Sequence, residues 1–176
     1  MVFLPAAVYA QTAEENVVYF TSGFEGKEVE MPSSPTSKYP AFMKPLENGN
    51  AGFSVYLKLP NGSQVKVFTN EFVKIDDCKY KEKMSFERNN AGGLNSEDKA
   101  ILITLNFQSA DAIRVSDDRT HKVSISNLSF TCSPFGKITC SDLGAHSDFG
   151  MVWANVGDKQ RIQQAFAHFK SVFCKT

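Results

Sequence analysis

The residues of this chain with the most chemistry in them are four cysteines, three histidines and the carboxylates Asp142 and Asp148 that lie near two of them. Cys132 and Cys140 flank Pro134-Phe135-Gly136, a turn-forming stretch that can bring them face to face across a hairpin, which leaves Cys78 to pair with Cys174. Four cysteines allow three pairings, and this one asks least of the chain. A tetrahedral metal shell is the competing use of the same residues, with Cys132, Cys140 and His146 joined by Cys174 or Asp148. Structural zinc sites bring two ligands close together in sequence, and the intervals here contain no such knuckle, so no metal is expected. A third chemistry would be nucleophilic: Cys140 or Ser141 attacking, His146 as base, and Asp142 or Asp148 orienting it. No nucleophile elbow or glycine-built oxyanion pocket surrounds these residues, so no catalytic residue is assigned and a small secreted hydrolase stands as the alternative reading.

Which chemistry the cysteines carry depends on the compartment. Met1–Ala10 is a short apolar run closing on Val8-Tyr9-Ala10 ahead of Gln11-Thr12, the pattern of a secretory signal remnant and its small-residue cut site, although no basic residue precedes the apolar run. The expectation is therefore a secreted or periplasmic protein whose cysteines form disulfides. Lysine plus arginine equals aspartate plus glutamate at 19 each, so no net field steers the chain toward nucleic acid, and no nucleic-acid partner is expected. No apolar run reaches the roughly 20 residues that span a bilayer, so no transmembrane segment is expected. With 42% hydrophobic residues and 15 Phe, the chain has ample material for a core, and no cofactor motif is present.

The elements that must hold these residues divide into a leader over residues 1–10, an N-terminal strand with a Pro/Ser-rich linker over 11–48, and a β-rich domain over 49–176. The strand is expected at Val17-Val18-Tyr19-Phe20, and the linker at Met31–Pro40, where three prolines remove backbone donors. Phe53–Leu59 alternates in period two and returns through Asn61-Gly62 along Gln64–Phe68, which predicts a β-hairpin with a tight primed turn. Phe72–Ile75 and Tyr80–Phe86 predict a second pair. From Ile101 onward, Ile101–Phe107, Ala112–Ser116, Lys122–Ser126, Leu128–Cys132, Lys137–Cys140 and Phe149–Val156 follow each other too closely for crossover helices, so an antiparallel meander is predicted. The period then changes. Asp158 is placed to cap a helix whose Ile162, Ala165, Phe166, Phe169, Val172 and Phe173 fall on one face.

A run of antiparallel strands followed by one amphipathic C-terminal helix is a mainly β (α+β) arrangement, a sheet or barrel closed by that helix, and in element order it resembles a pleckstrin-homology-like barrel over roughly Gly49 to Cys174. A lipocalin-like barrel and a two-sheet sandwich with an added helix share the same order. The pleckstrin-homology-like scaffold serves lipid heads, peptides and protein surfaces alike, so the resemblance carries no function by itself. The functional expectation is an exported, non-catalytic binding module for a protein, peptide or amphiphile, or alternatively an exported enzyme inhibitor presenting the Cys132–Cys140 tip. The expected contact residues are Asn89 and Asn90 in a Gly-rich polar loop, His146 and Asp148 in a second, and Trp153 beside Phe149 as an aromatic anchor. Asn61-Gly62-Ser63 and Asn127-Leu128-Ser129 fit the N-glycosylation pattern, which has meaning only in a host with that machinery.

Overall fold

The computed structural model describes residues 12–31, 38–87, 100–116, 123–133, 149–151 and 158–175. Its first element is helix α1, Ala13–Ser22, where the sequence suggested a strand. The apolar run Val17–Phe20 suits either state, and the ends decide. The Thr12 hydroxyl accepts from the Glu15 N–H at 3.2 Å while the Glu15 carboxylate accepts from the Thr12 N–H at 2.7 Å. This capping box nucleates the helix, and Gly23, left-handed at φ 74°, stops it. Eight of its ten residues are buried, and the Thr21 and Ser22 hydroxyls satisfy themselves by bonding back to the Val17 and Val18 carbonyls.

The main sheet has seven antiparallel strands: β1 Val29–Glu30, β2 Ala41–Pro45, β3 Gly52–Lys58, β4 Gln64–Lys74, β5 Lys79–Phe86, β6 Ala100–Asn106 and β9 Ser129–Ser133, the last after β7 Ala112–Val115 and β8 Val123–Ser126. Strands β1 and β2 pair across the Pro/Ser-rich segment, so the sheet takes in residues ahead of Gly49. The order runs β1-β2-β3-β4-β5-β6-β9 without closing, so of the two expected forms, sheet or barrel, the described residues make the open sheet. The meander holds from β1 to β6 and then breaks. β7 and β8 form a hairpin that joins β10, Phe149–Met151, in a second sheet of order β10-β8-β7, and the chain returns to pair β9 with β6. The return is made at Asn127, which holds a positive φ of 56° and donates through its side-chain amide to Asp111 at 2.8 Å. Asparagine tolerates that conformation better than any branched residue, and here it lets the chain switch sheets within one turn.

The predicted β3–β4 hairpin is present, but its turn differs from the primed type. Of the described non-Gly residues only Asn127 has positive φ, so Asn61 does not; Gly62 alone is left-handed, at φ 82°. Gly62 N–H donates to the Leu59 carbonyl at 2.9 Å and Leu59 N–H to Ser63 at 2.8 Å. Pro60, with φ fixed near −65°, selects this three-residue loop over the two-residue one.

Helix α2, Lys159–Val172, is capped as expected by Asp158, which accepts from the Arg161 N–H at 2.9 Å, and it buries Ile162, Ala165, Phe166 and Phe169. Val172, assigned to the same stripe, is 44% exposed. The helix packs against α1 through ring contacts, Phe20 meeting Phe166 and Phe169 at 5.3 Å each, and Phe107, just after β6, joins them 5.5 Å from Phe20. Arg161 bonds Glu25 at 2.7 Å and lies 5.6 Å from the Tyr19 ring, joining the two helices at their rim. The Cys78–Cys174 disulfide fastens the far end of α2 to the β4–β5 turn. Beside it the Lys170 ammonium donates to the Phe107 and Gln108 carbonyls at 2.6 and 2.9 Å, satisfying the end of β6.

Candidate functional site: a lysine-bearing sheet face above a buried carboxyl

Strand β5 reads Lys79-Tyr80-Lys81-Glu82-Lys83-Met84, and the period of two separates it into two chemistries. Tyr80, Glu82 and Met84 point into the core, whereas Lys81 and Lys83 are exposed on the opposite face. Register builds that outer face. Lys83 lies between Glu71 of β4 and Leu102 of β6; Lys81 lies between Val73 and Thr104; Thr131 and Ser133 of β9 continue the same two rows. Val73 is 49% exposed and Ile75, at the end of the same strand, 52%. Lys79 is held by Asp76 at 3.5 Å and Lys74 by Asp77 at 2.8 Å, so the β4–β5 turn is charge-balanced.

On the inner face the polar residue is Glu82, fully buried opposite Phe72 and Ile103. Its Oε1 accepts from the Asn70 side-chain amide at 2.8 Å, and Asn70 is also fully buried. Glu82 Oε2 and Asn70 Oδ1 have no partner among the described residues. Burial disfavours the carboxylate and pushes the group up to about 7, against the smaller opposing pull of the Asn70 hydrogen bond. The Tyr80 and Tyr19 phenols share this core with no hydrogen-bond partner for their hydroxyls among the described residues, and burial holds both above the ordinary tyrosine range. Glu82 is not singled out in the sequence beyond its place in the predicted strand Tyr80–Phe86. The available signal was its phase, since it falls between Tyr80 and Met84 on the apolar side of the alternation.

Two adjoining clefts open beside the N-terminus of α1. One of about 160 Å³ is lined in part by Glu15, Phe24, Asn50 and Gly52; the other, of about 420 Å³, by Glu14, Glu15, Asn50, Phe72 and Lys74. The Asn50 side chain between them donates to Glu71.

The residues singled out from sequence fall as follows. Cys78 and Cys174 are bonded as expected. Cys132, on β9, is disulfide-bonded, while its expected partner Cys140 lies outside the described residues. Asn89, Asn90, Ser141, Asp142, His146, Asp148 and Trp153 also lie outside them, and with them the nucleophilic constellation, both loop sites and the inhibitor tip. Phe149 begins β10. Among the described residues no three His, Cys, Asp or Glu side chains gather as a metal site, and no helix is long and apolar enough to cross a membrane.

No family model matches this chain, and no curated protein or solved structure matches it either.

Proposed function

We propose that the protein is an exported, non-catalytic binding module that recognises a protein, peptide or amphiphile through the outer face of its main sheet. The observation that carries this reading is the segregation of β5. Its inner residues complete the aromatic core, and its outer lysines stand exposed beside Val73 and Thr104 on a face that no described helix covers. A rigid sheet carrying two cations and an exposed aliphatic residue suits a partner surface in which carboxylates adjoin an apolar contact. Export is supported by the Met1–Ala10 pattern and by the Cys78–Cys174 bridge, which persists in oxidising compartments.

The test places a photo-crosslinking residue at Thr104, on that face, and another at Gln163, on the exposed side of α2, in protein made by an exporting host. The reading expects loss of residues 1–10 from the recovered chain, and a discrete adduct from position 104 that disappears in the Lys81→Glu/Lys83→Glu double variant. Adducts from position 163 alone, or an adduct at 104 indifferent to the double variant, would remove the sheet face as the recognition surface.

A further inference from the structure

The outer face uses half of β5; the inner half carries a group that recognition does not require. Glu82 is a carboxyl with no exposed surface, and its hydrogen-bond partner is neutral. A buried carboxylate is ordinarily matched by a cation or several N–H donors. The groups around it supply neither. Tyr80 and Met84 flank it on its own strand; Asn70, Phe72 and Phe68 face inward from β4; Ile101, Ile103 and Leu105 do so from β6. Tyr19 and Asn16 are the buried polar residues of the upper part of α1, and Phe166 and Phe169 come from α2. The titratable members of this set besides Glu82 are the two tyrosines, both kept neutral by burial. Charges at the rim, Glu14 with Asp76 and Asp77 on one side and Arg161 with Glu25 on the other, act on the tyrosines, while burial and Asn70 are the influences on Glu82.

Two planar groups, a carboxyl and a carboxamide, are thus already joined through one polar atom each, and the remaining atom of each is an oxygen without a partner. Two acceptors cannot satisfy one another unless one of them carries a proton. We propose that Glu82 folds as the neutral acid, with a proton on Oε2 donated to Asn70 Oδ1, so that the β4–β5 core beneath α1 is a proton-bound lock that strengthens as the medium acidifies. The proton completes the pairing. Its loss leaves a bare anion among Phe72, Ile103 and Met84, with one amide N–H to hold it. An exported protein entering an acidified compartment would tighten its core, and raising the pH would weaken the same core.

The experiment measures denaturant midpoints of the full chain between about pH 5 and about pH 8, beside the Glu82→Gln variant, whose neutral amide can both accept from and donate to Asn70 at every pH. Between pH 5 and pH 8 the wild-type folding constant should fall roughly 70-fold on account of this group, the part of a total factor of about 300 that this range spans for a shift from 4.5 to about 7. That pH-dependence should be missing from the variant. A variant retaining the wild-type slope overturns the proposal. Should Glu82→Gln fail to fold, proton release settles the matter in the wild type: unfolding near pH 6, followed calorimetrically in buffers of different ionisation enthalpy, should release about one proton per molecule from this group. Proton release near zero overturns the proposal as well.

Discussion

Asn70 on β4 reaches diagonally across the sheet to Glu82 on β5, joining two fully buried polar side chains at 2.8 Å two residues away from direct opposition. Directly opposite Glu82 stands Phe72, and directly opposite Asn70 stands Met84, so the polar pair is set among apolar neighbours and shielded from water on the core side. Asn70 also holds its backbone carbonyl hard against Gly52 on β3. The pair therefore couples three strands at the centre of the sheet, and perturbing it should be felt well beyond the two side chains.

Stability should vary with pH in the sense set by Glu82. Its pKa is raised in the folded state, so the unfolded chain binds fewer protons between about pH 4.5 and about pH 7. The contribution is complete below that window and is lost as pH rises through it, amounting to about 3 kcal/mol. Asp76 acts in the opposite sense. The Cys78 N–H at 2.9 Å holds its carboxylate below the usual range, so its contribution is kept at neutral pH and lost in acid. Urea midpoints across this range should therefore rise on acidification from pH 8 and turn down only at the acid end, where ordinary carboxylates protonate. A midpoint that climbs steadily toward pH 8 contradicts the assignment.

Asn70→Ala removes both the amide N–H that serves Glu82 Oε1 and the Oδ1 proposed to accept the Glu82 proton, and it leaves a small cavity. A buried acceptor stripped of its partner costs about 1–3 kcal/mol, and more where the group is charged. The loss should therefore be larger at pH 8, where Glu82 is the anion, than at pH 5, where it is neutral. In the Glu82→Gln background the extra loss at high pH should vanish, and a double-mutant cycle run at both pH values measures this directly.

The Cys78–Cys174 bridge closes a loop of sequence separation 96 and fastens α2, whose Phe169 ring lies 5.7 Å from that of Tyr80. In the chain-entropy view such a loop contributes about 4–5 kcal/mol, and removal of native bridges typically costs about 2–5. Cys78→Ser/Cys174→Ser should lower the thermal midpoint and raise amide exchange first in α2 and the Phe107–Gln108 turn, where Lys170 caps the strand. Equal exchange everywhere would show that the bridge acts on the unfolded chain alone.

These couplings differ in how far the amino-acid order reveals them. The strands at Phe53–Leu59 and Tyr80–Phe86 were legible from their apolar patterning, although only β5 buries one face alone while β3 buries both over Gly52–Val55, and Asp158 with its apolar stripe predicts α2 because cap and period agree. The Val17–Phe20 run fits either a strand or a buried helix, because four apolar residues carry no period of their own; the deciding signal is the Thr12–Glu15 box. The return from β8 to the main sheet was invisible because it turns on one left-handed asparagine, Asn127, inside a pattern that otherwise reads as continuous strands. Lys81 and Lys83 were legible as outward residues, but their neighbours Val73 and Thr104 follow from register, which no local pattern supplies. Pairing Asn70 with Glu82 likewise requires knowing which strand lies beside which.

The capping box makes a separable claim about α1. Thr12→Ala deletes the acceptor for the Glu15 N–H and with it half of a reciprocal pair, an effect of about 1 kcal/mol. Thr12→Ser preserves the hydroxyl and should restore most of that loss. Because α1 carries Phe20 into the cluster with Phe107, Phe166 and Phe169, fraying at its start should leave the C-terminal half of the helix protected from amide exchange. Protection lost evenly along Ala13–Ser22 would instead mean that the helix stands or falls as one unit.

Gly52 is the position where the fold has least tolerance. Its φ of 145° is a conformation that residues with a Cβ rarely adopt, and a Cβ built there would lie 2.1 Å from the Asn70 carbonyl oxygen. Both terms oppose substitution, one from the backbone's own sterics and one from the neighbouring strand, and the obstructing atom is main chain, so rotamer change gives no relief. Gly52→Ala should therefore cost about 3 kcal/mol or more, placing it with the severe core substitutions rather than with ordinary surface changes. The displacement would fall on Asn70 and, through it, on Glu82, so the variant should also lose part of the wild-type pH-dependence. Gly49, with a φ of 75° but nothing within 4 Å of its Cβ position, is the control: Gly49→Ala carries the conformational cost alone and should leave the pH profile intact. Equal losses in the two variants, with unchanged pH profiles in both, would show that the β3–β4 contact does not transmit strain to the buried pair.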